Sequence, residues 1–152
     1  MKARGTVLLA VVVLAGAGAA AWASYSAPRQ YYSSWYKSSK SYYYRDYYYK
    51  PADDYVGYKH NYVIYYPDKP KYCYYYNPYK KVYWGRCPMH TDGHAAYSEL
   101  AESDRKGTLA DIPEAAFPPP GAMPSVPDSS DKVAMDLPPD DLPQDGAPVE
   151  SP

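Results

Sequence analysis

The longest apolar run of the chain stands at its start. Residues 6–23 carry no charge, and Val7-Leu8-Leu9-Ala10-Val11-Val12-Val13-Leu14 forms their centre. Lys2 and Arg4 precede the run, and Ala21-Trp22-Ala23 closes it with a small-x-small step. Positive, then apolar, then small-x-small predicts a signal peptide over residues 1–23, cut after Ala23. As a retained anchor the run would be 18 residues long, at the lower edge of what crosses about 30 Å of hydrocarbon. Beyond it, residues 24–50 show neither a helical nor an alternating period. Tyr31-Tyr32, Tyr42-Tyr43-Tyr44 and Tyr47-Tyr48-Tyr49 recur among Ser, Lys and Arg. That stretch reads as low-complexity, disordered or only locally extended.

Order is expected in residues 51–90. The run from Tyr55 to Tyr66 is rich in Tyr, Val and Ile, which favour strands. Pro67-Asp68-Lys69-Pro70 breaks it. Lys71–Tyr76 is a second strand-prone run, and Asn77-Pro78-Tyr79-Lys80 suits a type I turn. Lys81–Cys87 is a third, ended by Pro88. Residues 91–112 read as a linker holding one short helix over 95–102, stopped by Gly107. Residues 113–152 read as an acidic, proline-rich, disordered tail. The expected fold class is therefore mostly disordered or irregular, with a small antiparallel β-meander of about three strands (residues 55–87).

Composition sharpens this picture. Tyrosine supplies 22 residues and phenylalanine one. Aliphatic residues are sparse after Ala23, so an ordinary aliphatic core is excluded. A net charge of −1 hides two opposed halves. Residues 24–90 hold eight Lys and three Arg against four Asp; residues 91–152 hold three basic residues against thirteen acidic ones. A basic body with an acidic tail predicts either a tail folded back on the body or a partner of acidic character.

Cys73 and Cys87 are the only cysteines. An even count in an exported chain predicts a disulfide, worth about 3 kcal/mol for a loop of this length. A bridge squarely across the hairpin and a turn at Asn77–Lys80 do not share a centre. A bulge near Lys80-Lys81 or Gly85 would reconcile them. The competing chemistry is copper or zinc binding by Cys87, His90 and His94. Cys87-Pro88-Met89-His90 resembles the opening of the small metal-binding module of copper and silver efflux systems, without its further cysteines. Tyr62, Tyr65, Tyr72, Tyr74, Tyr75, Tyr76, Tyr83 and Trp84 are the candidate aromatic surface, apolar in body and polar at the tip. No phosphate loop, nucleophile elbow or ordered carboxylate pair is present, so neither an enzyme nor a cofactor is expected.

Three blocks of sequence carry a wider resemblance. They are the tyrosine-rich stretch from Tyr55-Val56-Gly57-Tyr58 to Gly85-Arg86-Cys87-Pro88, then Asp104-Arg105-Lys106 with Ile112-Pro113-Glu114, then Leu137-Pro138-Pro139-Asp140-Asp141-Leu142-Pro143. Together they resemble small secreted tyrosine-rich proteins of planctomycete-type bacteria. The resemblance implies export and no particular activity. The functional expectation is an exported, secreted or periplasmic, non-enzymatic component of the cell envelope, structural or surface-interacting. It would self-associate or meet anionic envelope polymers, with no nucleic acid and no membrane span after cleavage. The alternatives are a small aromatic module for carbohydrate or extended peptide, and periplasmic copper or zinc handling.

Overall fold

The computed structural model describes residues 26–150 apart from 91, 93 and 95, so the expected signal peptide lies outside the described residues. Seven strands form one antiparallel sheet: β1 (Gln30–Tyr32), β2 (Tyr36–Lys37), β3 (Tyr43–Tyr49), β4 (Lys59–Tyr65), β5 (Tyr72–Asn77), β6 (Val82–Pro88) and β7 (Ser98–Glu99). Their order is β1-β3-β4-β5-β6-β7, and β2 pairs with the far end of β3. The expected mostly disordered chain with about three strands is overturned. The three expected strands are β4, β5 and β6, and the segment expected to be disordered supplies β1, β2 and β3. No α-helix occurs among the described residues. The helix expected over 95–102 is replaced by β7 and by the first of three 3-10 turns, Glu102–Asp104, Leu109–Asp111 and Glu114–Ala116. No helix is long and apolar enough to cross a membrane among those residues.

The sheet buries both faces, and tyrosine is the material of each. On one face Tyr47, Tyr49, Val63, Tyr75, Trp84 and Cys87 pack together under Met123, Val126 and Met135 of the tail. On the other, Tyr44, Ile64, Tyr74 and Tyr83 pack under Leu100, Ile112 and Phe117. A phenol contributes as much apolar area as a phenylalanine while needing a partner for its hydroxyl. The structure provides such partners: the Tyr32 and Tyr75 hydroxyls lie 2.9 Å apart, those of Tyr66 and Tyr83 2.6 Å.

The tail expected to be disordered is seated across the first face. Tyr97 and Gly121 exchange backbone hydrogen bonds of 2.8 Å. The Tyr32 hydroxyl donates to the Asp136 carbonyl at 2.8 Å, and the Trp35 indole N–H donates to the Asp141 carbonyl at 3.2 Å. Val149 bridges Lys37 in parallel at the β2 edge. Charge draws the tail down as well. Arg29 pairs with Asp131, Arg45 with Asp141, Lys59 with Asp128 and His90 with Asp140, while Arg86 pairs with Glu114 on the opposite face. The acidic half thus neutralises the basic half within one chain. Arg86 donates to both Glu114 oxygens at 2.9 and 2.6 Å and lies between the rings of Tyr72 (3.8 Å) and Phe117 (4.1 Å). That bidentate, charge-assisted pair holds the Glu114 carboxyl below its usual 4.5.

The hairpin of β5 and β6 resolves the conflict over its centre. Asn77 Oδ1 accepts from the backbone N–H groups of Tyr79 (2.9 Å) and Lys80 (3.0 Å), and Lys81 turns the chain with φ 57°. The register then shifts: Tyr75 faces Gly85 and Tyr76 faces Tyr83, which leaves Trp84 as the bulged residue beside Gly85. Gly85 allows a close crossing. A Cβ there would fall on the phenol ring of Tyr97, and that ring is already packed on Tyr75 and Trp84. Gly85→Ala is expected to destabilise the protein by about 1–3 kcal/mol, the usual range for overpacking. Urea unfolding measures it, and Gly85→Ala/Tyr97→Leu is expected to recover part of the loss.

Candidate functional site

The covers leave part of the second face open. The 3-10 turns lie over β5 and β6, while β3 and β4 carry half-buried rings on that face. Tyr31 stacks on Tyr48 with ring centroids 4.8 Å apart, and Tyr58 meets both edge-on at 5.0 and 6.3 Å. Tyr48 meets His60 (5.8 Å), His60 meets Tyr62 (5.2 Å), Tyr62 meets Tyr44 (5.6 Å) and Tyr44 meets Tyr36 (5.6 Å). Ring follows ring along this line without a gap. Beyond Tyr44 and Tyr62 the row opens into a groove of about 500 Å³, whose walls include Tyr42, Tyr66, Tyr76 and Tyr83.

The row arises from strand geometry. Side chains two residues apart share a face, so Tyr44 and Tyr48 of β3 stand beside Ile64 and His60 of β4. Edge-on and tilted contacts, favoured by the charge distribution of aromatic rings, give the face a stepped rather than flat relief. The phenols stay neutral. Burial is the first cause in each case: it lifts Tyr44 and Tyr48 to about 12 and raises Tyr31 and Tyr62. They therefore remain hydrogen-bond donors far above neutral pH. Asp46 is the carboxylate within the row, 3.8 Å from His60. Burial raises it, against the lowering effect of His60 and the Tyr48 hydroxyl.

The chain matches no family model, no curated protein and no solved structure.

The residues expected as one aromatic surface are divided between the faces. Tyr62, Tyr72, Tyr74, Tyr76 and Tyr83 lie on the second face, Tyr65, Tyr75 and Trp84 on the first. Tyr74, Tyr75, Tyr83 and Trp84 are buried, so they build the core and form no surface. Tyr62 and Tyr76 do belong to the open face. Its other members (Tyr31, Tyr36, Tyr42, Tyr48, Tyr58 and His60) were missed, most of them because residues 24–50 were not read as strands.

The metal alternative is not assembled. Cys87 is fully buried and its thiol donates to the Ala96 carbonyl at 3.1 Å. His90 and His94 are exposed, and His90 faces Asp140 at 3.2 Å. No group of three His, Cys, Asp or Glu residues able to hold a metal ion occurs among the described residues. Cys73 and Cys87 are direct partners in the register of β5 and β6, both as free thiols. Met89 N–H donates to the Lys71 carbonyl at 3.0 Å, so by alternation Cys73 and Cys87 form a hydrogen-bonded pair, about 5.5 Å apart at Cα. That lies inside the range a disulfide spans. The contact with Cys87, and burial after it, pushes the Cys73 thiol up.

Proposed function

We propose that the protein is an exported, non-catalytic binding module whose open tyrosine face holds an extended carbohydrate chain. The observation that carries this reading is the unbroken line of ring contacts from Tyr31 through Tyr48 and His60 to Tyr62 on the uncovered part of the sheet. A sugar ring presents C–H groups to an aromatic face and hydroxyls to its rim. The phenols, Asp46 and His60 supply both kinds of contact. Many weak stacking contacts along one chain sum to useful affinity.

Peptide capture by strand addition is less well supported. That mode needs a free sheet edge, and here β1 is three residues long while the β2 edge already receives Pro148 and Glu150. A tyrosine matrix is also less well supported. It needs rings free to stack between molecules, and Tyr47, Tyr49, Tyr75 and Tyr97 are consumed inside this one.

The test is affinity electrophoresis in a panel of soluble polysaccharides, followed by titration with oligosaccharides of rising length. Saturable binding that strengthens with length is expected. Tyr48→Ala and Tyr62→Ala are each expected to weaken it about tenfold, roughly 1.4 kcal/mol. Absence of binding across the panel, together with concentration-dependent self-association, would return the reading to a matrix component.

Export has its own signature. In an oxidising compartment Cys73 and Cys87 are expected to close into a disulfide. The intact mass of protein from its own host, measured without reductant, is expected to begin at Ser24 and fall two hydrogens short of the dithiol. A mass including residues 1–23, or a reduced pair, would count against export.

A further inference from the structure

A second concavity lies on the covered face, at the end of the sheet where β4, β5 and β6 meet the tail. It is a half-open cleft of about 840 Å³. Its floor holds Asn61, Tyr49 and Trp84; Tyr55, Tyr58 and Tyr79 stand around it, and Pro124–Ser129 of the tail forms one wall. Lys59 and Asp128 close an ion pair of 2.8 Å between strand and tail at its rim. The cleft adjoins the end of the open tyrosine face at Tyr58, but its Asn61 and Trp84 belong to the first face, so it stands whether or not the open face holds a chain.

The floor contains unmet hydrogen-bonding capacity. Asn61 is 0% exposed, and neither its amide nitrogen nor its carbonyl oxygen has a partner. The Trp84 indole N–H is buried and has none either. Buried polar groups are nearly always paired, and each exception calls for an explanation. Tyr32 with Tyr75 and Tyr66 with Tyr83 keep the rule; the Tyr97 hydroxyl and the Nε atoms of Arg45 and Arg86 also lack partners, but none of these residues lines the cleft. An unpaired carboxamide and an unpaired indole lining one cleft are explained by a ligand that pairs with them.

The donor and acceptor pattern limits what that ligand is. A carboxamide offers N–H and C=O side by side, and the indole adds one further donor. The complement is a group with both an N–H to donate to the Asn61 oxygen and a carbonyl to accept from the indole. A secondary amide carries both groups, on opposite edges of its trans plane, so its carbonyl would accept from the Trp84 N–H and its N–H would donate to the Asn61 carbonyl oxygen; a lone carboxylate or phosphate has no such donor. The walls call for more than the amide. Val126 and Val82 offer a methyl group an apolar contact, and the surrounding tyrosines offer stacking faces to a ring. We propose that the cleft binds an N-acetylated amino sugar, its acetamido group held by Asn61 and Trp84 and its ring against the tyrosines.

The probe is N-acetylglucosamine with its β-linked di- and trisaccharides; glucose and the matching glucose oligomers serve as the amide-free comparison. The full mature chain is titrated, following the Trp84 indole N–H resonance and tryptophan fluorescence. The acetamido sugars are expected to move the Trp84 resonance and to saturate, at least tenfold tighter than their glucose counterparts. Asn61→Leu keeps the shape but loses the carbonyl acceptor, and is expected to weaken binding at least tenfold. Tyr79 is 60% exposed, so Tyr79→Ala keeps the fold and is expected to weaken binding several-fold. This second variant tests the proposal if Asn61→Leu does not fold. Tyr36→Ala, at the far end of the open face, is expected to leave this affinity unchanged. A Trp84 resonance unmoved by the acetamido sugars, or equal affinity for both series, would overturn the proposal.

Discussion

Removal of residues 118–152 is expected to abolish cooperative folding. The segment carries Met123, Val126 and Met135, all buried against the tyrosine core. Burying one such side chain contributes about 1.5–3 kcal/mol, against about 5–15 kcal/mol for the total stability of an ordinary domain. Three of the four Arg or Lys ion pairs between body and tail among the described residues go with it, those of Asp128, Asp131 and Asp141, as does the contact of His90 with Asp140. What is left would expose the rings of Tyr47, Tyr49 and Tyr75 and the guanidinium of Arg45 on one open face, a patch large enough to drive aggregation. Thermal melting followed by near-ultraviolet circular dichroism measures the loss. A truncated chain that melts sharply near the full-length midpoint would show the tail to be an accessory. Deletion of residues 24–50 is equally severe, since it removes β1, β2 and β3 and leaves β4 as an unpaired edge.

Asp141→Ala is expected to cost more than Arg45→Met, although the two residues form one pair. Arg45 is 1% exposed, its Nη2 is 2.6 Å from Asp141 Oδ1, and its guanidinium lies 3.9 Å from the Trp35 ring centroid. Asp141 is more than half exposed. Losing the carboxylate strands a buried cation, for which about 3–5 kcal/mol is usual. Losing the cation leaves a carboxylate that water can solvate, and a methionine of similar length keeps the contact with Trp35. Replacing buried ion pairs by apolar groups is often neutral, so about 1 kcal/mol or less is expected for Arg45→Met. Urea midpoints of the two variants decide it. The opposite order would mean that Arg45 reaches water by another route.

Part of this architecture was legible in the sequence, and contrast between the two faces of a strand decided which part. β4, β5 and β6 were read correctly because Val63, Ile64, Cys73 and Val82 interrupt the tyrosines and proline-bearing turns separate the runs. β3 was not, because Tyr43–Tyr49 has tyrosine facing both ways, and period two is invisible when both faces carry the same residue. The bulge was anticipated near Gly85, where the offset between Cys73 and Cys87 required one. The tail was misread because its acids and prolines are those of solvated chains. It docks through a few apolar residues at irregular spacing and through carboxylates whose partners lie about a hundred residues away, as Arg29 and Asp131 do. The charge asymmetry did suggest a tail folded back on the body. The open tyrosine face depended on β3 and was lost with it, and the unpaired carboxamide of Asn61 has no counterpart in sequence pattern.

The tail is made after every strand of the sheet and is the roof of the first face. Tyr32 of β1 meets Asp136, and Lys37 of β2 meets Val149. Contacts that span nearly the whole chain are slow to form, because the loop between them must close first. Until residues 118–150 have emerged from the ribosome, that face has nothing to shut against. A nascent chain of this design stays open and threadable long after all seven strands of the sheet have been made.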